Sequence, residues 1–98
     1  MTRPIVIKFG GSVLDNPVLR RRFVKELAGL ARRPSLVLVH GGGPEITRAL
    51  AARGIRTRFR RGLRVTSLAA MKIVEAALGL LNRRIAAALT RAGRKSVG

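Results

Sequence analysis

Val37-Leu38-Val39-His40-Gly41-Gly42-Gly43-Pro44-Glu45-Ile46 is an apolar run that ends in three glycines and then meets a proline. Residues 35–40 have the length and β-branched content of a buried strand, with Leu36, Val37, Leu38 and Val39 leaving no polar face. The glycines let the backbone approach a bound group closely and permit a positive φ that a side chain would resist. Pro44 suits the first position of a helix, where its missing N–H is one of the donors left unpaired in any case. Free N–H groups at a helix start, together with the helix dipole, attract an anion. The stretch therefore has the shape of a phosphate or carboxylate site. For one Gly-Gly-Gly taken alone, a plain tight turn from strand to helix is the commoner explanation.

A second copy of the pattern shifts that balance. Residues 4–9 are another short apolar run, ending in Gly10-Gly11-Ser12 and followed by a helix signal. This strand carries one charge, Lys8, beside its glycines. In an open parallel sheet, ligands sit in the crevice beyond the carboxyl ends of the strands. Two glycine turns and a lysine are thus expected to open onto one crevice.

The segments between and after these turns read as α/β. Asn16-Pro17 is a helix start, a capping residue followed by proline, and Leu19, Phe23, Leu27 and Leu30 recur at the spacing of a face turned to the sheet. Arg32-Arg33 suits the end of that helix and Pro34 stops it. Strand, helix and strand in this order imply a parallel crossover. The next helix is expected from Pro44 to about Arg53, with Ile46 and Leu50 inward and Gly54 at its C-terminal cap. Residues 55–65 alternate, with Ile55, Thr57 and Phe59 on one side and Arg56, Arg58 and Arg60 on the other. Arg61-Gly62 interrupts them, which predicts a β-hairpin with one very basic face. Thr66 or Ser67 caps a long helix whose apolar stripe runs from Leu68 to Leu89, with Gly79 a place for a kink. Ala92-Gly93 ends it, and residues 95–98 read as the beginning of another strand. The fold class expected is a three-layer α/β sandwich with a mostly parallel sheet and an added hairpin, in one domain over residues 1–98.

Composition narrows the chemistry. With no cysteine, one histidine and four carboxylates, disulfides are excluded and an all-protein metal site is not expected. Residues 1–4 lead straight into a strand without a signal-peptide core, and no apolar stretch is long enough to span a bilayer, so a cytoplasmic location is the expectation. Twenty-one Lys and Arg against four Asp and Glu give a net charge of +17. Such an excess attracts polyanions at low salt. The basic residues are spread along the chain, however, and the three phenylalanines are isolated, so specific nucleic-acid binding is not expected. A basic partner-binding module and self-pairing through the long apolar stripe stay open as alternatives to an enzyme.

The matching residues Ile7-Lys8-Phe9-Gly10-Gly11, Val39-His40-Gly41-Gly42-Gly43-Pro44-Glu45-Ile46 and Gly62-Leu63-Arg64-Val65-Thr66, with Asn82 and Ser96-Val97-Gly98, give the chain its likeness to known proteins. It resembles the amino-acid kinase family, most closely the branch that phosphorylates N-acetyl-L-glutamate. The resemblance implies transfer of the ATP γ-phosphoryl group, with Mg2+ held through the nucleotide, to the side-chain carboxylate of N-acetyl-L-glutamate in arginine biosynthesis. Other members of the class, acting on aminoadipyl or glutamyl groups of a carrier protein, are the near alternative. Carried over, Lys8 would stabilise charge on the transferring phosphoryl group, and Gly10 and Gly11 would offer N–H groups to the ATP phosphates. Gly42 and Gly43 would hold the acetylglutamate, and Arg64 would clamp its other carboxylate. His40 is expected to orient the loop rather than act as a base, and Asn82 to sit on the helix surface or bond to a loop. The family also implies a homodimer or larger homo-oligomer. Its members have a second, nucleotide-binding lobe with a further lysine and an aspartate, which these 98 residues do not contain. A fragment and a free-standing remnant are both compatible with that, and little or no kinase activity is expected of the isolated chain.

Overall fold

The computed structural model describes residues 3–30 and 33–98. In chain order the elements are β1 (Ile5–Phe9), α1 (Gly11–Asp15), α2 (Pro17–Ala28), β2 (Leu36–His40), α3 (Gly43–Ala52), β3 (Phe59–Arg60), β4 (Leu63–Arg64) and α4 (Leu68–Arg91). β1 and β2 pair in parallel, in register from Ile5 beside Leu36 to Phe9 beside His40. The class is α/β, as expected, with a parallel sheet joined by a helical crossover and a separate antiparallel hairpin.

Local chemistry sets the ends of these elements. Asn16 caps α2, its side-chain oxygen accepting from the N–H groups of Val18 and Leu19 at 2.9 and 3.2 Å. Ser67 does the same for α4 through the N–H of Ala70 at 3.1 Å. α2 ends at Gly29, earlier than Pro34 required, because glycine is a poor helix former. Arg32 lies outside the described residues. The hairpin turn is Arg61-Gly62, with φ of 52° and 78°, the pair of positive values that matches the twist of two joined strands.

The core forms on one side of the sheet. Leu14 of α1, Leu27 of α2 and Leu81, Ile85 and Leu89 of α4 are buried together, with Ile7, Phe9, Leu36 and Leu38 of the strands packed on them. A second cluster, Ile46 and Leu50 with Ala70, joins α3 to the first half of α4. α4 is unbroken at Gly79 and belongs to both clusters.

Several expectations are corrected by this arrangement. β2 is not buried on both faces: Val37 and Val39 are 47% and 44% exposed, because α1, α2 and α4 all cover the opposite face. On α2, Phe23, Val24 and Leu27 pack inward, while Leu19 stays exposed and Leu30 falls beyond the helix end. The hairpin ladder is only two residues on each side, extended by one further bond in which the Val65 N–H donates to the Arg58 carbonyl at 2.9 Å. Residues 95–98 form no strand; the Ser96 N–H is instead turned to the Thr90 hydroxyl at 3.2 Å. Leu81, Ile85 and Leu89 of the α4 stripe are buried in the chain's own core, while Leu68 and Met71 at its start stay exposed.

Candidate functional site

Parallel pairing decides where the two glycine turns lie. Phe9 and His40 are partners at the carboxyl ends of β1 and β2, so Gly10-Gly11 and Gly41-Gly42-Gly43 leave from adjacent positions on the same sheet edge. The helices that follow are tied together: Arg48 of α3 donates from Nη1 to Asp15 Oδ1 of α1 at 2.9 Å. Both side chains are substantially exposed, so this pair orients more than it stabilises.

The glycines differ in what they require. A side chain at Gly10, Gly11, Gly41 or Gly43 would meet nothing within 4 Å, so these positions leave free space in front of the backbone. Gly42 is buried, and a Cβ there would lie 3.0 and 3.2 Å from methyl groups of Leu78 and Leu81. Its glycine lets α3 approach α4. Gly42 also begins α3 with no side chain capping it, which leaves first-turn N–H groups facing out of the helix end.

His40 holds the loop, as expected. Its Nδ1 lies 2.8 Å from the Gly41 carbonyl oxygen, which can only accept, so the ring hydrogen is on Nδ1. Nε2 is then the acceptor, and Asn82 Nδ2 donates to it at 3.0 Å. Of the two expectations for Asn82, the helix-to-loop bond is the one found.

Arg64 is set apart from the other hairpin arginines by register. It pairs across the ladder with Phe59 and shares that residue's face, with its guanidinium 4.9 Å from the ring centroid. Nη1 donates to Thr57 Oγ1 at 3.1 Å, and Nη2 donates to Thr47 Oγ1 at 3.3 Å and to the Gly43 carbonyl at 3.4 Å. The group is thus held against the start of α3. Arg56, Arg58, Arg60 and Arg61 are all exposed.

Lys8 lies on the other face of β1 from Ile7 and Phe9, the face the helices leave open, beside Val39 and two residues before Gly10. It has no ion-pair partner among the described residues. Sequence reasoning missed three side chains here. Thr47 and Thr57 brace Arg64; Thr47 stands four residues after Gly43 on one helix face, a spacing that could have revealed it. Glu45 is the third. Its Oε1 is 3.5 Å from Arg48 Nη2, and its Oε2 is buried without a hydrogen-bond partner among the described residues. The first turn of α3 is a favourable place for that negative charge. No group of His, Asp or Glu able to hold a metal occurs among the described residues.

Two backbone cradles and a braced guanidinium at one end of a parallel sheet suit a ligand with more than one anionic group. The sequence model of the amino acid kinase family matches residues 3–98. Acetylglutamate kinase of Endomicrobium trichonymphae is 41% identical over 99 residues, covering 100% of this chain and 40% of that protein. The acetylglutamate kinase of Deinococcus radiodurans is 47% identical over 81 residues, covering 83% of this chain and 32% of that protein. The chain therefore spans two-fifths or less of the length of these curated relatives. Among solved structures, N-acetylglutamate synthase from Neisseria gonorrhoeae, complexed with coenzyme A and N-acetyl-glutamate, is similar with a TM-score of 0.67 and 29% identity, over 92% of this chain and 21% of that one. The smu.665 protein of Streptococcus mutans gives the same score and identity over 92% of this chain and 37% of that one.

Proposed function

The chain belongs to the amino acid kinase family, and on that premise we propose that it is the amino-acid-binding lobe of an acetylglutamate kinase. The reaction is transfer of the γ-phosphoryl group of ATP to the side-chain carboxylate of N-acetyl-L-glutamate, a step of arginine biosynthesis. Curated relatives at 41% and 47% identity carry that name, and the similar Neisseria protein was solved with N-acetyl-glutamate.

The observation that carries the reading is the placement of Arg64. Its two-pronged guanidinium matches a carboxylate, and it lies against Gly43 where α3 presents unpaired N–H groups. In this reading Arg64 grips the α-carboxylate of the acyl amino acid. Gly42 and Gly43 offer backbone contacts beside the carboxylate that reacts. Lys8, a compact point charge, offsets negative charge on the phosphoryl group in transit. The open space before Gly10 and Gly11 fits the close approach of phosphate oxygens to their N–H groups. ATP, when bound with Mg2+, supplies the phosphoryl group; phosphoryl transfer then asks for positioning and charge stabilisation rather than covalent help from the protein. A homodimer belongs to the same reading, and Leu63, Val65, Leu68 and Met71 are among the exposed apolar side chains available for it.

The test is thermal protection of the 98-residue chain by N-acetyl-L-glutamate. The ligand is expected to raise the melting temperature, and Arg64→Ala to abolish the rise. Arg64→Lys is expected to weaken it, because a lysine cannot make the two-point contact. Protection that survives Arg64→Ala unchanged would overturn the assignment.

A further inference from the structure

We propose that the groove between α2 and α4 is a second anion site, and that its ligand is an oligophosphate. The groove has a volume of about 500 Å³, within the range of clefts that hold small molecules, roughly 300–1,000 Å³. Arg20, Arg21 and Lys25 line it from α2, and Arg84 and Arg91 from α4; no carboxylate does. Neither Lys8, Arg64 nor any glycine of the two turns contributes to it.

Five cations around one trough are a poor arrangement without a ligand. Arg21 and Lys25 are four residues apart on α2 and repel each other. Arg84 and Arg91 are two turns apart on α4 and face the same groove. Positive charge in the first turns of α2 also opposes the helix dipole. The acidic residues that could relieve this are engaged or distant. Asp15 and Glu45 pair with Arg48, Glu26 pairs with Arg22, and Glu75 does not line the groove. Among the described residues, Arg20 alone of the five has a hydrogen-bond partner, donating to the Leu14 carbonyl at 3.2 Å.

A monovalent anion meets one wall. An ion with several negative charges spaced along it meets both, and guanidinium forks match phosphate oxygens in pairs. The floor is apolar, Val24 and Ala88 above the buried Leu81 and Ile85, and so favours strong charge pairing at the rim. A second copy of this chain brings the same sign of charge and does not fit. The oligophosphate is either free or carried on a nucleoside, whose base would then lie on Val24 and Ala88.

The experiment is calorimetric titration of the 98-residue chain with inorganic tripolyphosphate at about 0.15 M salt, where diffuse charge effects are screened within about 8 Å. One molecule is expected to bind in the groove, beside any held at the Gly10-Gly11 turn with Lys8. Arg84→Gln combined with Arg91→Gln should weaken it about tenfold or more, two charge-assisted contacts being lost. The same variant, without ligand, should melt no lower than the parent, since repulsion has been removed. Arg21→Gln with Lys25→Gln tests the opposite wall and serves if the first variant does not fold. Lys8→Ala should weaken tripolyphosphate only at the Gly10-Gly11 turn and leave the molecule held in the groove. In that Lys8→Ala background, a nucleoside triphosphate binding more tightly than tripolyphosphate places a base on the floor, and equal binding identifies the free oligophosphate as the ligand. Equal loss on changing Arg56 and Arg60 of the hairpin to Gln would overturn the site in favour of diffuse attraction. So would an oligonucleotide that outcompetes tripolyphosphate and binds the groove variants as well as the parent.

Discussion

Gly42 and Gly43 are neighbours in sequence and would respond to a methyl group differently. At Gly42 a Cβ would press on Leu78 and Leu81, so Gly42→Ala is expected to cost about 1–3 kcal/mol as the helices are forced apart, measured by urea unfolding. At Gly43 the space is open. Gly43→Ala should leave the unfolding midpoint nearly unchanged while reducing protection by N-acetyl-L-glutamate. Equal loss of stability in both variants would contradict the packing described for Gly42. Asn82→Ala removes the donor to His40 Nε2; the loss is expected near 1 kcal/mol, with weaker ligand protection because the loop before Gly42 is no longer held from α4. At this scale Lys8, the glycines and Arg64 were legible as motif residues. Thr47 and Thr57 were not, since bracing Arg64 requires a helix and a hairpin remote in sequence to meet.

Among the elements, α4 has the most to lose from small changes, because both core clusters lie along it. Its Ser67 cap was readable from sequence, being a local contact between a side chain and a backbone three residues on. Ser67→Ala should cost about 0.5–2 kcal/mol, seen as a lower urea midpoint with an unchanged denaturant slope. Asn16→Ala on α2 should behave in the same way. The inward face of α2 was legible only in part. Helical spacing placed Phe23 and Leu27 correctly but could not say where α2 stops, so Leu30 was counted with them.

The whole molecule measures 44 × 28 × 20 Å along its principal axes and carries +17. At about 0.01 M salt the screening length is about 30 Å, and at 0.15 M about 8 Å. At low salt most of the cations therefore act on one another across the whole body. Raising sodium chloride from about 0.01 to 0.15 M should raise the melting temperature, as repulsion in the compact state is screened. A fall would mean that the three ion pairs among the described residues matter more than the excess charge. What the sequence alone determined is whatever short-range physics controls: caps at Asn16 and Ser67, the turn at Arg61-Gly62, and two strands running into glycines. Only the tertiary structure decided which face of the sheet is covered, which leucines are buried, and that Arg64 alone among the hairpin arginines turns to Gly43. Burial and orientation depend on elements brought together from far along the chain, and no local pattern records which of several similar side chains will meet them.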